Sequence, residues 1–408
     1  MERKPCRPAG AIAREGTGGP VGDWAAMSSI VLSAANGRPS LADVLPNCLD
    51  AIAGRESDLG LGAVRSAVVL FVDGLGASML RSRAGHARHL VRGWARRDTA
   101  FAFPSTTVSG VTTLTTGRRA GEHGMIAYTV YDRAHDVVRN QLKGWDADMH
   151  PERWQLERTV FERMAVEAAG VRPVVVGLPE YAESGLTAAS LRGAAYVPAR
   201  TIADRLEAAL DLAIEAPRSL VYCYVAELDQ AGHAHGWESD QWLARLEELD
   251  AAYASFVERL PADVGVLVTA DHGMVDIPFE SQVDVDSDGD LMRDVVGFAG
   301  EPRLRHLFTA YDDASAAADL ATAWREREGR RSLVVTRDEA IDAGWYGPVV
   351  TDAARARIGN VIVAAQKLVG YYLTEWTGKG RLVKGQHGST SPEETIVPLI
   401  RAGAFARA

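Results

Sequence analysis

Four short apolar runs punctuate the chain: Val68–Val72, Pro173–Gly177, Leu220–Val225 and Val264–Val268. They do not alternate with polar residues, so each predicts a strand buried on both faces. Helical periodicity fills the intervals, at Thr159–Ala169, Thr201–Ile214 and Asp240–Leu260. The last carries Leu243, Leu246, Leu249, Tyr253, Phe256, Val257 and Leu260, an apolar stripe on one helical face. Buried strands alternating with amphipathic helices predict an α/β fold, with a central, mostly parallel sheet flanked by helices on both faces. Further helices are expected at Leu41–Ile52, capped by Ser40, at Ala77–Arg96, from Pro104 and Ser105 to Gly117, and at Asp313–Arg327. A last strand is expected at Ile396–Ile400. Residues 276–374 lose the strand–helix regularity and read as a smaller inserted lid or subdomain. That leaves a core of about 64–275 and 375–408 within a single domain, 27–408. Residues 1–26, rich in Gly, Pro, Arg and Ala, are expected to be a disordered segment, with Met27 a candidate start.

Composition narrows the class. The 408 residues are 47% hydrophobic, which is globular and long enough for a sizeable core. A formal net charge of −10 argues against a broad nucleic-acid surface, so any phosphate-bearing ligand must be held by local cations. The three cysteines, Cys6, Cys48 and Cys223, are far apart, which indicates neither a disulfide framework nor a thiolate metal site. No apolar run reads as a signal-peptide core or a membrane span. The expectation is a soluble, cytoplasmic protein without a membrane partner, its oligomeric state open.

Candidate chemistry gathers just beyond the predicted strands. Asp73-Gly74 ends the first and Asp271-His272-Gly273 follows the last, at the sheet edge where α/β proteins place their sites. Asp229 and His233 are four residues apart after Leu220–Val225, so on a helical turn they share a face. His387 lies between Gly385 and Gly388 in the tail. Taken singly, these residues suit a turn, a cap or a solvated loop. Together, three carboxylates and three imidazoles exceed what one metal needs and suit two neighbouring divalent ions. Ligation by His and Asp without thiolates favours zinc, with manganese or iron as alternatives. At the start of the helix closed by Gly117, Ser105, Thr106 and Thr107 offer hydroxyls where free amides favour an anion. Local chemistry does not choose among these hydroxyls. The aromatics Tyr128, Tyr131, Trp145 and Trp154 are candidate pocket walls. His235 and His306 are not expected to bind metal. The acidic stretch Val283–Asp290 lacks calcium-loop spacing.

In this order, Asp73-Gly74, Pro104-Ser-Thr-Thr107, Asp229-x-x-Gly-His233, Asp271-His272-Gly273 and His387-Gly388 resemble the alkaline phosphatase superfamily. The resemblance is greatest to its type I phosphodiesterase/nucleotide pyrophosphatase family, over roughly 65–275 and 380–400. It implies an alkaline-phosphatase-like fold and a catalytic domain holding two zinc ions. Asp229, His233 and His387 would hold one ion. Asp73, Asp271 and His272 would hold the other, together with the nucleophile. The family's nucleophile lies ten residues before the glycine that ends its helix, which is Thr107 here. Three residues after the nucleophile the family usually has an Asn on a phosphate oxygen; here that position is Gly110, so the Val108 amide or an added residue must contribute, and Val108 and Gly110 are the expected substrate contacts. The implied reaction is hydrolysis of a phosphodiester or phosphoanhydride in a small molecule or nucleotide, through a phospho-threonine. Within the superfamily the alternatives are a phosphomonoesterase, phosphonatase or phosphomutase, and outside catalysis a metal- or nucleotide-binding protein. A sulfatase is disfavoured, because no cysteine lies near Thr107.

Overall fold

The computed structural model describes residues 35, 37–287, 289–376 and 378–407. The expected disordered segment and Met27 lie outside them. The central sheet has six strands in the order Ile400–Gly403, Val264–Thr269, Ser66–Val72, Ser219–Val225, Arg172–Gly177, Ala195–Pro198. All pairings are parallel except that of Ile400–Gly403 with Val264–Thr269. Every residue of Ser66–Val72 and of Val264–Thr269 is buried, which requires cover on both faces and explains the unbroken apolar runs. Helices Ile202–Glu215 and Asp240–Glu258 supply Leu206, Leu210, Trp242, Leu246 and Leu249 to the same core as Val44, Leu45 and Leu49 of the Val44–Ala53 helix. No helix among the described residues is long and apolar enough to cross a membrane.

Helix starts follow local chemistry. Ser40, Thr159, Thr201 and Asp313 each accept an amide of the turn they precede, and the first three complete capping boxes. Two expectations need correction. The helix expected over Ala77–Arg96 ends at Ser82. Beyond it, the amides of His89 and Leu90 donate to the Asp250 carboxylate at 2.9 and 2.8 Å instead of to backbone carbonyls. The helix expected from Pro104 begins at Thr107, with extended Thr106 before it, and ends at Thr116 before Gly117 at φ +63°.

Residues 276–374 are also more regular than expected. They hold a four-stranded antiparallel sheet in the order Val295–Glu301, Leu304–Thr309, Val361–Ala365, Ser332–Thr336. The Ala314–Glu328 helix packs on it through Leu320, Ala321 and Trp324. The pattern was hidden because Leu304–Thr309 carries Arg305 and His306, both buried, where a core strand ordinarily shows aliphatics. In the tail, Ile396–Pro398 pairs with Thr99–Phe101, and only Ile400–Gly403 joins the main sheet, so the expected single strand is two.

A buried ion pair joins insert to tail. Arg303 donates to both oxygens of Glu394, at 2.8 and 2.7 Å, and also to the carbonyls of Lys367, Val369 and Ala365. Glu394 also accepts from the Ser389 amide and the Ser391 hydroxyl, while its own carbonyl accepts the Gly273 amide. Removing one partner strands a charge at 1% or less exposure. Arg303→Met is therefore expected to lower the unfolding free energy by about 3–5 kcal/mol. Urea titration checks this, and a loss under about 1 kcal/mol would show that the pair contributes little.

Candidate active site

Three strand ends deliver the carboxylates. Asp73 follows Ser66–Val72, Asp271 follows Val264–Thr269, and Asp229 sits in the first turn of the Glu227–His235 helix that follows Ser219–Val225. They approach closely because glycines leave room. A Cβ on Gly74 would lie 3.1 Å from the Asp229 Cβ, and one on Gly110 only 2.4 Å from the Asp271 Cβ. The Gly74 amide donates to Asp271 Oδ1 at 3.1 Å, and the Tyr224 hydroxyl donates to Asp73 Oδ2.

The imidazoles are held from behind. Nδ1 of His233, His272 and His387 lies 2.8, 3.0 and 2.9 Å from the carbonyls of Gly385, Gly273 and Ser105 respectively. A carbonyl only accepts, so each Nδ1 carries a proton and Nε2 is the nitrogen left for a cation. Those Nε2 atoms of His233 and His272 face the carboxylates. His272 Nε2 is 3.3 Å from Asp73 Oδ1 and 3.7 Å from Asp271 Oδ2, and His233 Nε2 is 3.3 Å from Asp229 Oδ1. The rings of His272 and His387 stack with centroids 3.6 Å apart.

This set fits divalent cations. Ligand atoms of Asp229, His233 and His387 lie within 4.8 Å of one another, as do those of Asp73, Asp229 and His272. Oδ1 of Asp73, Oδ1 of Asp229 and Oδ2 of Asp271 are buried and have no hydrogen-bond donor. Such atoms need an explanation, because an unpaired buried carboxylate oxygen is costly. Imidazoles locked through Nδ1 with Nε2 presented are how proteins prepare histidine for a metal.

The protein's own charges do not neutralise the cluster. Burial pushes Asp229 up to about 6, against the pull of His233. Burial, reinforced by the charge of Asp73, holds Asp271 well above the carboxylate range. Burial opposes the charging of His272, yet Asp271 and Asp73 raise it to about 10. His387 is pushed well down by burial and by the neighbouring His272 and His233. Protons thus stand where a cation would allow every carboxylate to ionise.

The three candidate hydroxyls now separate. Ser105 is fully buried and donates to the Ser389 carbonyl at 2.6 Å. Thr106 lies beside Glu301, whose ionisation it favours. Thr107, the first residue of its helix, places Oγ1 3.4 Å from His272 Nε2 and faces a cavity of about 1570 Å³. Val108 lines that cavity and sits where helix amides have no intrahelical acceptor. Gly110 does not line it; the expectation that it contacts substrate is corrected, since its missing side chain is where Asp271 packs.

Of the four aromatics expected as walls, Tyr128 and Trp145 line the cavity. Tyr131 packs on Phe308, and Trp154 lies under the Arg357 guanidinium. His235 is exposed, and His306 is buried elsewhere with Nδ1 accepting the Gly359 amide. In the acidic stretch, Asp284 pairs with Arg381, and Asp286 accepts from Thr374. Sequence reasoning missed Tyr181, Tyr224, Glu301, Arg305, Tyr372 and Trp376, all lining the cavity. Burial pushes Glu301 up to about 7 and pulls Arg305 down to about 9. The only local signal was Gly300-Glu301-Pro302, a charged residue set in a turn.

At the strand ends of an α/β sheet, paired carboxylate–imidazole groups able to hold divalent cations stand beside a helix-start hydroxyl. The sequence profile of the type I phosphodiesterase/nucleotide pyrophosphatase family matches residues 67–390, and the chain belongs to that family. It is a hydrolase of phosphoric ester or anhydride bonds. No curated protein matches the chain at the level of sequence. Among solved structures, murine ectonucleotide pyrophosphatase/phosphodiesterase 5, in an inactive form with AMP, superposes with a TM-score of 0.62 at 15% identity. The match covers 83% of this chain and 88% of that one. The human counterpart gives 0.62 at 14% identity, over 84% and 90%. At such identity the likeness shows the fold, an alkaline-phosphatase-like α/β architecture.

Asp229 faces both ligand groups, so Asp229→Ala is expected to lower bound divalent metal below the wild-type stoichiometry. Elemental analysis of the purified chain reads this directly, and an unchanged metal content would remove Asp229 from the ligand set.

Proposed function

We propose that the chain hydrolyses a phosphodiester or phosphoanhydride bond in a small, nucleotide-like substrate, with Thr107 as nucleophile. The observation that carries this reading is the position of Thr107 Oγ1. It lies at a helix start, 3.4 Å from His272 Nε2, and opens onto the cavity beside the donorless carboxylate oxygens. Asp229, His233 and His387 would hold one zinc ion, and Asp73, Asp271, His272 and Thr107 the other. When bound, such ions supply Lewis acidity, stabilising negative charge on the attacking and leaving oxygens.

The chain's own residues do the rest. Thr107 Oγ1, having lost its proton, attacks phosphorus as the bond to the leaving oxygen breaks, and the leaving group departs with a proton. The helix start and the Val108 amide favour the negative charge on the phosphoryl oxygens. Water then attacks the phospho-threonine, the bond from phosphorus to Oγ1 breaks, and Thr107 regains its proton. Tyr224, hydrogen-bonded to Asp73, keeps that carboxylate aimed at the site through both steps.

A diester is favoured over a monoester by room. The cavity exceeds the usual range of ligand pockets and is walled on several sides of Thr107, so both arms of a diester are accommodated. AMP in the murine relative supports a nucleotide as one arm.

Thr107→Ala is expected to reduce turnover at least about a thousandfold while metal content stays at the wild-type level. Retained turnover would assign the nucleophile elsewhere. Zinc-loaded protein is expected to prefer bis-p-nitrophenyl phosphate to p-nitrophenyl phosphate in kcat/KM. The opposite preference would move the reading to a phosphatase or mutase on the same fold.

A further inference from the structure

Threonine caps helices throughout this chain, and one of these threonines does not. The hydroxyls of Thr159, Thr201, Thr336 and Thr351 each accept the amide three residues on, at 3.0 to 3.2 Å. Thr106 stands in the same position before the Thr107–Thr116 helix, in extended backbone at φ −138°, yet its side chain caps no amide. Only its carbonyl serves the helix, accepting the Gly110 amide at 2.8 Å.

The side chain that stands against the Thr106 hydroxyl is Glu301 of the insert, 4% exposed at the end of the Val295–Glu301 strand. The Tyr128 amide donates to its Oε1 at 2.6 Å, which fixes the carboxyl, while its Oε2 is buried without a donor. Burial opposes the charge on Glu301, and the Tyr128 amide and the Thr106 side chain favour it. The tail is thinned to admit this carboxyl: a Cβ on Gly388 would lie 2.9 Å from the Glu301 Cβ.

One oxygen occupies one place. Over the helix start, the Thr106 hydroxyl would take the Ser109 amide, as the other four threonines take theirs. That amide and its neighbours are the donors that a helix start offers to an anion. A carboxylate is a strong acceptor for a hydroxyl, so Glu301 competes with the cap. We infer that Glu301 is a positioning residue, which draws the Thr106 hydroxyl off the helix start and so keeps the first-turn amides open to the phosphoryl oxygens of the substrate. This rests on the reading of Thr107 as the nucleophile of a phosphoester hydrolase. The insert thereby acts on the reacting group through a side chain that touches neither phosphorus nor metal ligand.

The test is a double-mutant cycle on bis-p-nitrophenyl phosphate with the full metal-loaded chain. Glu301→Ala is expected to lower kcat/KM about tenfold, because Thr106 then caps its own helix. Made on Thr106→Val, which has no hydroxyl to cap with, the same substitution is expected to change kcat/KM by less than about twofold. Glu301→Gln keeps a polar partner for the hydroxyl and is expected to retain most of the wild-type value. A Glu301→Ala loss of equal size on both backgrounds would show a merely structural role and overturn the proposal, as would no loss on wild type. Should Thr106→Val fail to fold, equal losses in Glu301→Ala and Glu301→Gln would overturn it, and retention by Glu301→Gln alone would support it. If wild type cleaves no diester, the phosphodiesterase reading fails. The positioning role is then judged by calorimetric binding of inorganic phosphate to the same variants. A weakening by Glu301→Ala that Thr106→Val abolishes supports it, and equal affinities refute it.

Discussion

Three carboxylates are held together in a dry place, and much of the molecule is arranged to permit this. Like charges at such range repel strongly once water is excluded. The fold brings them close by ending three adjacent parallel strands at one edge and thinning the backbone around them. Gly74, Gly110 and Gly273 each face a neighbour that a side chain would strike, and Gly273 would meet the Glu393 carbonyl at 2.0 Å. The histidines are pinned to carbonyls from the tail, the Asp271 loop and the helix-start segment, so three distant stretches fix the direction of their Nε2 atoms. The cluster is therefore costly in the protein alone and favourable around cations. A metal held there would couple its affinity to folding stability through the same atoms.

The core was legible because its physics is local. Val264–Val268 is apolar without alternation since helices cover both faces, and a carboxylate at the end of such a run stands out. Asp229 and His233 share a helical face by spacing alone, and the Glu227–His235 helix places them so. The insert was illegible for the opposite reason. It satisfies buried Arg303 and Arg305 through long-range carbonyls and a carboxylate 91 residues away, and buried His306 through the Gly359 amide, and no periodicity encodes such partners. Tyr224 was overlooked because in Leu220–Val225 it reads as another apolar strand residue; its hydroxyl acquires meaning only when Asp73 is folded against it. Gly110 was misread because a position in a motif was taken for a position in space.

That glycine bears on how the site handles phosphate. With Asp271 packed where a side chain would begin, the helix contributes Thr107 and its free amides but nothing longer at this point. On the reading of Thr107 as nucleophile, recognition of a phosphoryl group would fall to backbone dipoles and any cations held near Thr107. Discrimination between substrates must come from groups farther away.

Five of the residues that line the cavity, Gly300, Glu301, Pro302, Arg305 and Tyr372, come from the insert. Glu301 reaches the cavity at the turn between two antiparallel strands, and two residues on, Arg303 is tied to Glu394 of the tail. Glu394 in turn is bonded to Ser389, just after His387, and its carbonyl holds Gly273, just after His272. One buried ion pair thus links the insert's edge of the cavity to the loops that carry His272 and His387.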